Sequence, residues 1–271
     1  MGILKDQHGA VLPPLVLSST KYLPALNGVA WDAKYGAAIP DESKLIIRRS
    51  KINASIILRE SDESAKYDLF QRLNTGGSQA SDQEVRNCVM VMIRPEFFRW
   101  LKALSENEDF RSSVALSDRL IQESYDLELV LRFIIFAIIT EKDLGSVGDV
   151  GVFLTDRMRS LVENGEDKIT YIGEAFTKTF SLLNAELGEA SFKKFNIEKT
   201  RFQGGFLISQ FEAVACGIGF NIANQRVPTS IQSKVANLWS DKNYTDWTGS
   251  GITAARRLPR LIPLGRQIFS S

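Results

Sequence analysis

The residues best suited to chemistry stand in one run, Tyr67-Asp68-Leu69-Phe70-Gln71-Arg72-Leu73-Asn74-Thr75-Gly76-Gly77-Ser78, with Ser81-Asp82-Gln83-Glu84 soon after. Leu69, Phe70 and Leu73 have helical spacing, and Asn74 tolerates the left-handed turn that ends a helix. Ser81 with Glu84 three positions on is a capping box, so a further helix is expected to start with Ser81 as its N-cap. A helix, a Gly-Gly loop and a new helix start let loop amides and free helical amides converge on an anion such as phosphate. Arg72 adds a charged fork beside them. The candidate phosphate- or nucleotide-binding residues are therefore Arg72, Asn74, Thr75, Gly76 and Gly77. The same residues also read as a plain connector, with Arg72 pairing Asp68 along one helix face.

Other chemistries are excluded by count. His8 is the only histidine, so neither an HExxH zinc site nor a His-Asn-His nuclease can be built from this chain alone. A Ser-His-Asp triad would have to recruit His8 beside the first residue. Cys88 and Cys216 form no CxxC pair, so no metal is expected. Both lie in apolar helical patterns and read as free buried thiols in a reducing cytoplasm. Two E-x-K tripeptides, Glu42-Ser43-Lys44 and Glu166-Asp167-Lys168, lack the paired strands and second acid that a magnesium nuclease needs.

Charge is nearly balanced, with 33 Lys plus Arg against 32 Asp plus Glu and a formal net charge of +1. Its distribution is uneven. The last 25 residues hold Arg256, Arg257, Arg260 and Arg266 and no acid, so the preceding residues carry 29 bases against 32 acids. Arg256, Arg257 and Arg260 are the candidate DNA-binding residues, because such a cluster can neutralise phosphates. A solvated face, or pairing with acids of the earlier net-negative region, is the alternative. Arg48, Arg49 and Lys51 form a smaller basic group, read as the polar face of a strand.

The run Phe70-x-Arg72-Leu73-Asn74-Thr75-Gly76-Gly77 followed by Ser81-Asp82-x-Glu84-x-Arg86-Asn87 resembles the GmrSD-type restriction endonuclease N-terminal domain family. That family's pattern is F-x-R-[IL]-N-T-G-G, then L-[ST]-x-x-E-[ILV]-R-N; Ala80 stands here at the Leu position. Arg201-x-x-Gly204-Gly205-Phe206, Phe211-Glu212-Ala213 and Gly249-Ser250-Gly251 are similar to its weaker helical portion. The resemblance implies a ParB/sulfiredoxin-like α/β core with appended helices, and adds Glu84, Arg86 and Asn87 as supporting residues of the phosphate site. It also implies a role in DNA restriction or antiphage defence, alongside a His-Asn-His nuclease subunit or domain. The family's D-G-[QL]-Q-R motif is absent, and Met1 to Leu4 reads like the helix that follows it, so an N-terminally truncated chain is expected. No cofactor is expected in the chain itself; a nucleotide with Mg2+ follows only if the missing motif is present natively. Enzymatic activity of this chain is left open.

These residues need elements to hold them. Of the 271 residues 44% are hydrophobic, enough for a substantial core. The N-terminus carries Lys5, Asp6, Gln7 and His8 where a signal peptide would be apolar, and Asp6 breaks a myristoylation pattern. The longest apolar run, Phe133 to Ile139, is far short of the ~20 residues that span a bilayer. A cytoplasmic protein without a membrane partner is expected, with oligomerisation open.

Lys44 to Arg49 and Ile52 to Arg59 read as two short strands or one bent strand. Beyond Ser64 helical spacing takes over. Val85, Val89 and Met92 share one face, and Phe97, Trp100, Leu101 and Leu104 follow Pro95. Leu127 to Thr140 is apolar nearly all round and reads as the central core helix. Further helices are expected over 152–162, 172–187, 206–222 and 231–239, with a C-terminal one that Pro259 and Pro263 should break or kink.

The expected fold class is mainly α: a small α/β remnant over 1–80, then a helical domain over 81–271. The alternative to a nucleotide- or DNA-binding regulatory module is a helical protein-interaction scaffold without catalysis. Arg72→Ala is expected to weaken phosphate-ligand binding more than it lowers the thermal midpoint; calorimetric titration and melting of one variant check this.

Overall fold

The computed structural model describes residues 10–19, 23–51, 80–164 and 166–270. The phosphate-site candidates Arg72, Asn74, Thr75, Gly76 and Gly77, and the expected strand over 52–59, lie outside those residues. The chain divides into two compact units, 1–60 and 61–271, a boundary earlier than the expected one at residue 80. The protein is mainly helical with a small α/β part.

In the first unit β1 (Val29–Ala30) and β2 (Ala37–Ala38) pair in parallel, Val29 opposite Ala37. Val16 adds an antiparallel bridge to Ala30. Gly28 has φ +73°, a left-handed conformation that turns the chain into β1. Lys44 to Arg49 is not a strand: α1 spans Asp41–Arg49. A short Ile/Leu run fits strand and helix alike, and the ends decide here. Asp41 and Glu42 fill the first turn while Arg48 and Arg49 fill the last, matching the helix dipole. Arg48 therefore belongs to a helix end, with its guanidinium 5.5 Å from the Trp31 ring centre.

The second unit is a helical bundle. Helix α2 (Asp82–Ile93) begins as expected, with Ser81 and Glu84 capping each other. The Glu84 amide donates to Ser81 Oγ at 3.2 Å, and the Ser81 amide donates to Glu84 Oε2 at 2.7 Å. Val85 and Val89 are buried, but the third expected member of their face, Met92, is exposed and Met90 is buried instead. Pro95 opens α3 (Pro95–Ser105), where its missing amide costs no hydrogen bond. Short helices α4 (Glu108–Val114) and α5 (Asp118–Gln122) lead to α6 (Tyr125–Ile138), the expected core helix. Nine consecutive residues of α6, Leu129 to Ala137, are buried.

The chain continues through α7 (Glu141–Leu144), α8 (Val150–Asn164) and α9 (Glu166–Glu186). A hairpin of β3 (Lys194–Asn196) and β4 (Arg201–Gln203) follows, with Phe195 opposite Phe202. Helices α10 (Ile208–Ala223), α11 (Ile231–Leu238), α12 (Lys242–Thr245) and α13 (Ala254–Ile268) complete the unit. Among the described residues no helix is long and apolar enough to cross a membrane.

Helix α10 is the packing axis of this unit, set between α6, α9 and α13. Its small residues allow that. A methyl group on Gly217 would stand 2.5 Å from the Gly265 carbonyl carbon of α13, and one on Gly265 would strike the Ala213 carbonyl oxygen. A methyl on Gly219 would collide with the Phe133 ring of α6. The two backbones touch, and this contact with the buried Leu258, Leu261 and Ile262 keeps α13 continuous through Pro259 and Pro263. The expected break does not occur, because packing outweighs two lost hydrogen bonds. Gly265→Ala is expected to destabilise the fold by about 2 kcal/mol or more, since overpacking here pushes on backbone. Chemical denaturation of the purified variant checks it.

Candidate functional site

Two of the amides at the start of α2 are already engaged. The capping box uses those of Ser81 and Glu84, and Asp82 and Glu84 set negative charge in the first turn. The supporting residue Glu84 is thus a cap. The supporting residue Asn87 accepts a 2.8 Å hydrogen bond from Gln83. Arg86 is 1% exposed, its Nε donating to Gln83 Oε1 and its Nη2 to Glu128 Oε2, both at 2.8 Å. A guanidinium so enclosed supports the bundle rather than a surface ligand.

Arg86 begins a chain of alternating charges through the helices. Glu128 of α6 also takes Arg132, with Nη2 to Oε1 at 2.8 Å. Arg132 Nη1 reaches Glu212 Oε1 of α10 at 3.2 Å. Glu212, 0% exposed, accepts a fork from Arg257 of α13: Nε to Oε2 at 2.6 Å and Nη2 to Oε1 at 3.0 Å. The third Arg257 nitrogen donates to the Ile252 carbonyl at 3.2 Å. Burial pulls the Arg132 guanidinium down, but Glu128 and Glu212 outweigh it and hold it above its ordinary value. Burial also pushes the nearby Tyr125 hydroxyl up to about 12.

Arg257 is therefore withdrawn from the DNA-binding candidates. Turning it outward would leave the Glu212 carboxylate buried with one partner fewer, a cost of several kcal/mol. Arg256 and Arg260, by contrast, are exposed on α13. The Arg260 guanidinium lies 5.4 Å from the Trp247 ring centre.

Arg260 also lines an open cleft of about 910 Å³ that counting charges in sequence does not reveal. Arg226, just past α10, and Arg266 of α13 share its wall, against one carboxylate, Glu141. Arg266 Nη2 donates to the carbonyls of Phe136 and Ile139 at 3.0 and 2.6 Å, closing the end of α6. Its guanidinium lies 4.1 Å from the Phe220 ring centre, and its buried Nε has no hydrogen-bond partner. Burial lowers its proton affinity. Of these residues, Arg260 and Arg266 were marked by the acid-free tail, while Arg226 gave no local signal.

Other candidates do not converge. Among the described residues no group of three His, Cys, Asp or Glu side chains is placed to hold a metal. Both E-x-K tripeptides lie on helices, Glu42 to Lys44 in α1 and Glu166 to Lys168 in α9. Both cysteines are free thiols; Cys216 is buried, but Cys88 only partly, because it leaves the apolar face of α2. Burial raises both thiols, Cys216 far more, so neither is activated as a nucleophile.

No family model, no curated protein and no solved structure matches the chain.

Glu212→Gln is expected to lower stability by about 3 kcal/mol or more, because Arg132 and Arg257 lose their shared anion in a buried site. The loss should persist at high salt, since buried pairs are weakly screened. Denaturation at low and high ionic strength checks both statements.

Proposed function

We propose that this chain is a nucleotide- and/or DNA-binding regulatory module of a prokaryotic DNA restriction or antiphage defence system. It works with a separate nuclease carrying the histidines that a single His8 cannot supply. The observation that carries the DNA contact is the exposed pair Arg256 and Arg260 on α13, in a tail with no acid. Exposed guanidinia one helical turn apart can contact adjacent phosphates while the helix stays anchored through Leu258, Leu261 and Ile262.

The system itself is suggested by the Phe70 to Asn87 run and its likeness to the GmrSD-type pattern, with the ParB/sulfiredoxin-like core assigned to the N-terminal region on the same ground. In this reading Arg72, Asn74, Thr75, Gly76 and Gly77 hold phosphate, and Ser81 with Glu84 fixes the helix that follows them. A nucleotide with Mg2+ belongs to a chain that also has the D-G-x-Q-R segment. The setting is the cytoplasm, where the module meets DNA and its nuclease partner.

Replacing Arg256 and Arg260 together by Ala is expected to flatten the salt dependence of DNA binding by about two charges, with the melting temperature unchanged. Binding isotherms across a salt series check this. An unaltered slope removes α13 from the interface, and magnesium-dependent cleavage of DNA by this chain alone refutes the regulatory reading.

A further inference from the structure

The cleft beside α13 has a composition that phosphate contact alone does not explain. Arg226, Arg260 and Arg266 face one carboxylate, Glu141, so the cleft is net positive. Neither Arg226 nor Arg260 makes an ion pair among the described residues, so both guanidinia are available to a ligand. Arg266 differs from them. It is 8% exposed, and only Nη2 among its nitrogens has hydrogen-bond acceptors. Its buried Nε is unpaired, so at that atom Arg266 brings the cleft positive charge rather than a further hydrogen bond.

Part of the remaining wall is apolar, beside the polar Asn243, Gln267 and Ser270. Pro259, Pro263 and Leu264 line it from α13, and Phe220 and Trp247 sit beneath the two α13 guanidinia. Pro259 and Pro263 carry no amide hydrogen, so α13 has no backbone donor at those two positions of the wall. Guanidinia, an apolar strip and the amide side chains of Asn243 and Gln267 together match a molecule with a phosphate, a planar ring and exocyclic N–H groups. The volume, about 910 Å³, lies within the ~300–1,000 Å³ common for small-ligand sites.

We propose that this cleft binds one nucleoside phosphate unit, its phosphoryl oxygens on Arg226, Arg260 and Arg266 and its base along the Pro259–Pro263 wall. The proposal rests on the reading of the chain as a nucleotide- or DNA-binding module and names the chemistry of its C-terminal site. The unit is either a free nucleotide or one residue of a strand. It needs no residue of the Arg72 to Gly77 loop.

The test uses the full chain, titrated calorimetrically with inorganic phosphate, adenosine 5′-monophosphate and single-stranded oligothymidylate. Arg226→Gln with Arg260→Gln is expected to weaken binding of the last two by about tenfold or more, a loss of two charge-assisted contacts. Both side chains are exposed, so the melting temperature should hold; if it falls, the single Arg226→Gln variant carries the comparison. Arg256→Gln, outside the cleft wall, should leave the monophosphate affinity within about twofold. Tighter binding of the free nucleotide assigns the cleft to a small molecule, and tighter binding of the strand assigns it to nucleic acid.

Inorganic phosphate binding as tightly as the nucleotide overturns the base contact. Oligonucleotide binding that depends on Arg256 but not on Arg226 or Arg260, with no nucleotide binding, overturns the cleft and leaves the DNA-binding reading standing. Nucleotide binding in the cleft without any affinity for DNA supports the cleft and removes the DNA contact. No binding of any ligand overturns both.

Discussion

The carboxylate of Glu212 is the constraint on which the helical unit turns. It is fully buried in the second turn of α10, between Arg132 of α6 and Arg257 of α13. A lone charge in that position would be prohibitive, so the three helices have to arrive together with their guanidinia in place. The same network fixes direction and register. Sliding α13 by one turn along α10 would part Arg257 from Glu212 and also drive Gly265 away from the Ala213 backbone it meets. Apolar burial around Phe133, Phe180 and Phe211 supplies the driving force, but it does not by itself select one arrangement.

That constraint divides the arginines by role. Arg86, Arg132 and Arg257 hold the bundle together; Arg226, Arg256 and Arg260 stand at the surface. Arg266 belongs to both groups, since it closes the end of α6 with one nitrogen and also lines the cleft. A DNA- or nucleotide-binding role for the C-terminal helix is therefore compatible with a rigid scaffold. The helix is anchored through one face and presents the other, so ligand contact does not require the core to open.

Much of the fold could be read in advance because its signals are local. The capping box at Ser81 and Glu84, the first-turn proline at Pro95 and the apolar run of α6 each act within a few residues, and each produced its helix. Where the signal was ambiguous, the reading failed. The Leu45 to Ile47 run suits a strand by composition, and only the charges at both ends of α1 tip it to a helix. Pro259 and Pro263 should break or kink a helix on local grounds, and α13 is not broken because its buried face is held from outside. For the candidate site, the acid-free tail pointed to Arg256 and Arg260 but could not separate them from their neighbour Arg257.

Sequence alone determined the helical character, the capped start of α2, the exclusion of two-histidine sites built from this chain and the concentration of unopposed arginine near the end. These follow from composition or from interactions spanning at most one helical turn. Tertiary structure decided which arginines are spent on Glu128 and Glu212, which remain at the surface, and that Arg226 joins Arg260 and Arg266 around one cleft. Those outcomes depend on groups tens of residues apart meeting in space, and charge pairing over such separations leaves no local pattern for a reader of the chain to find.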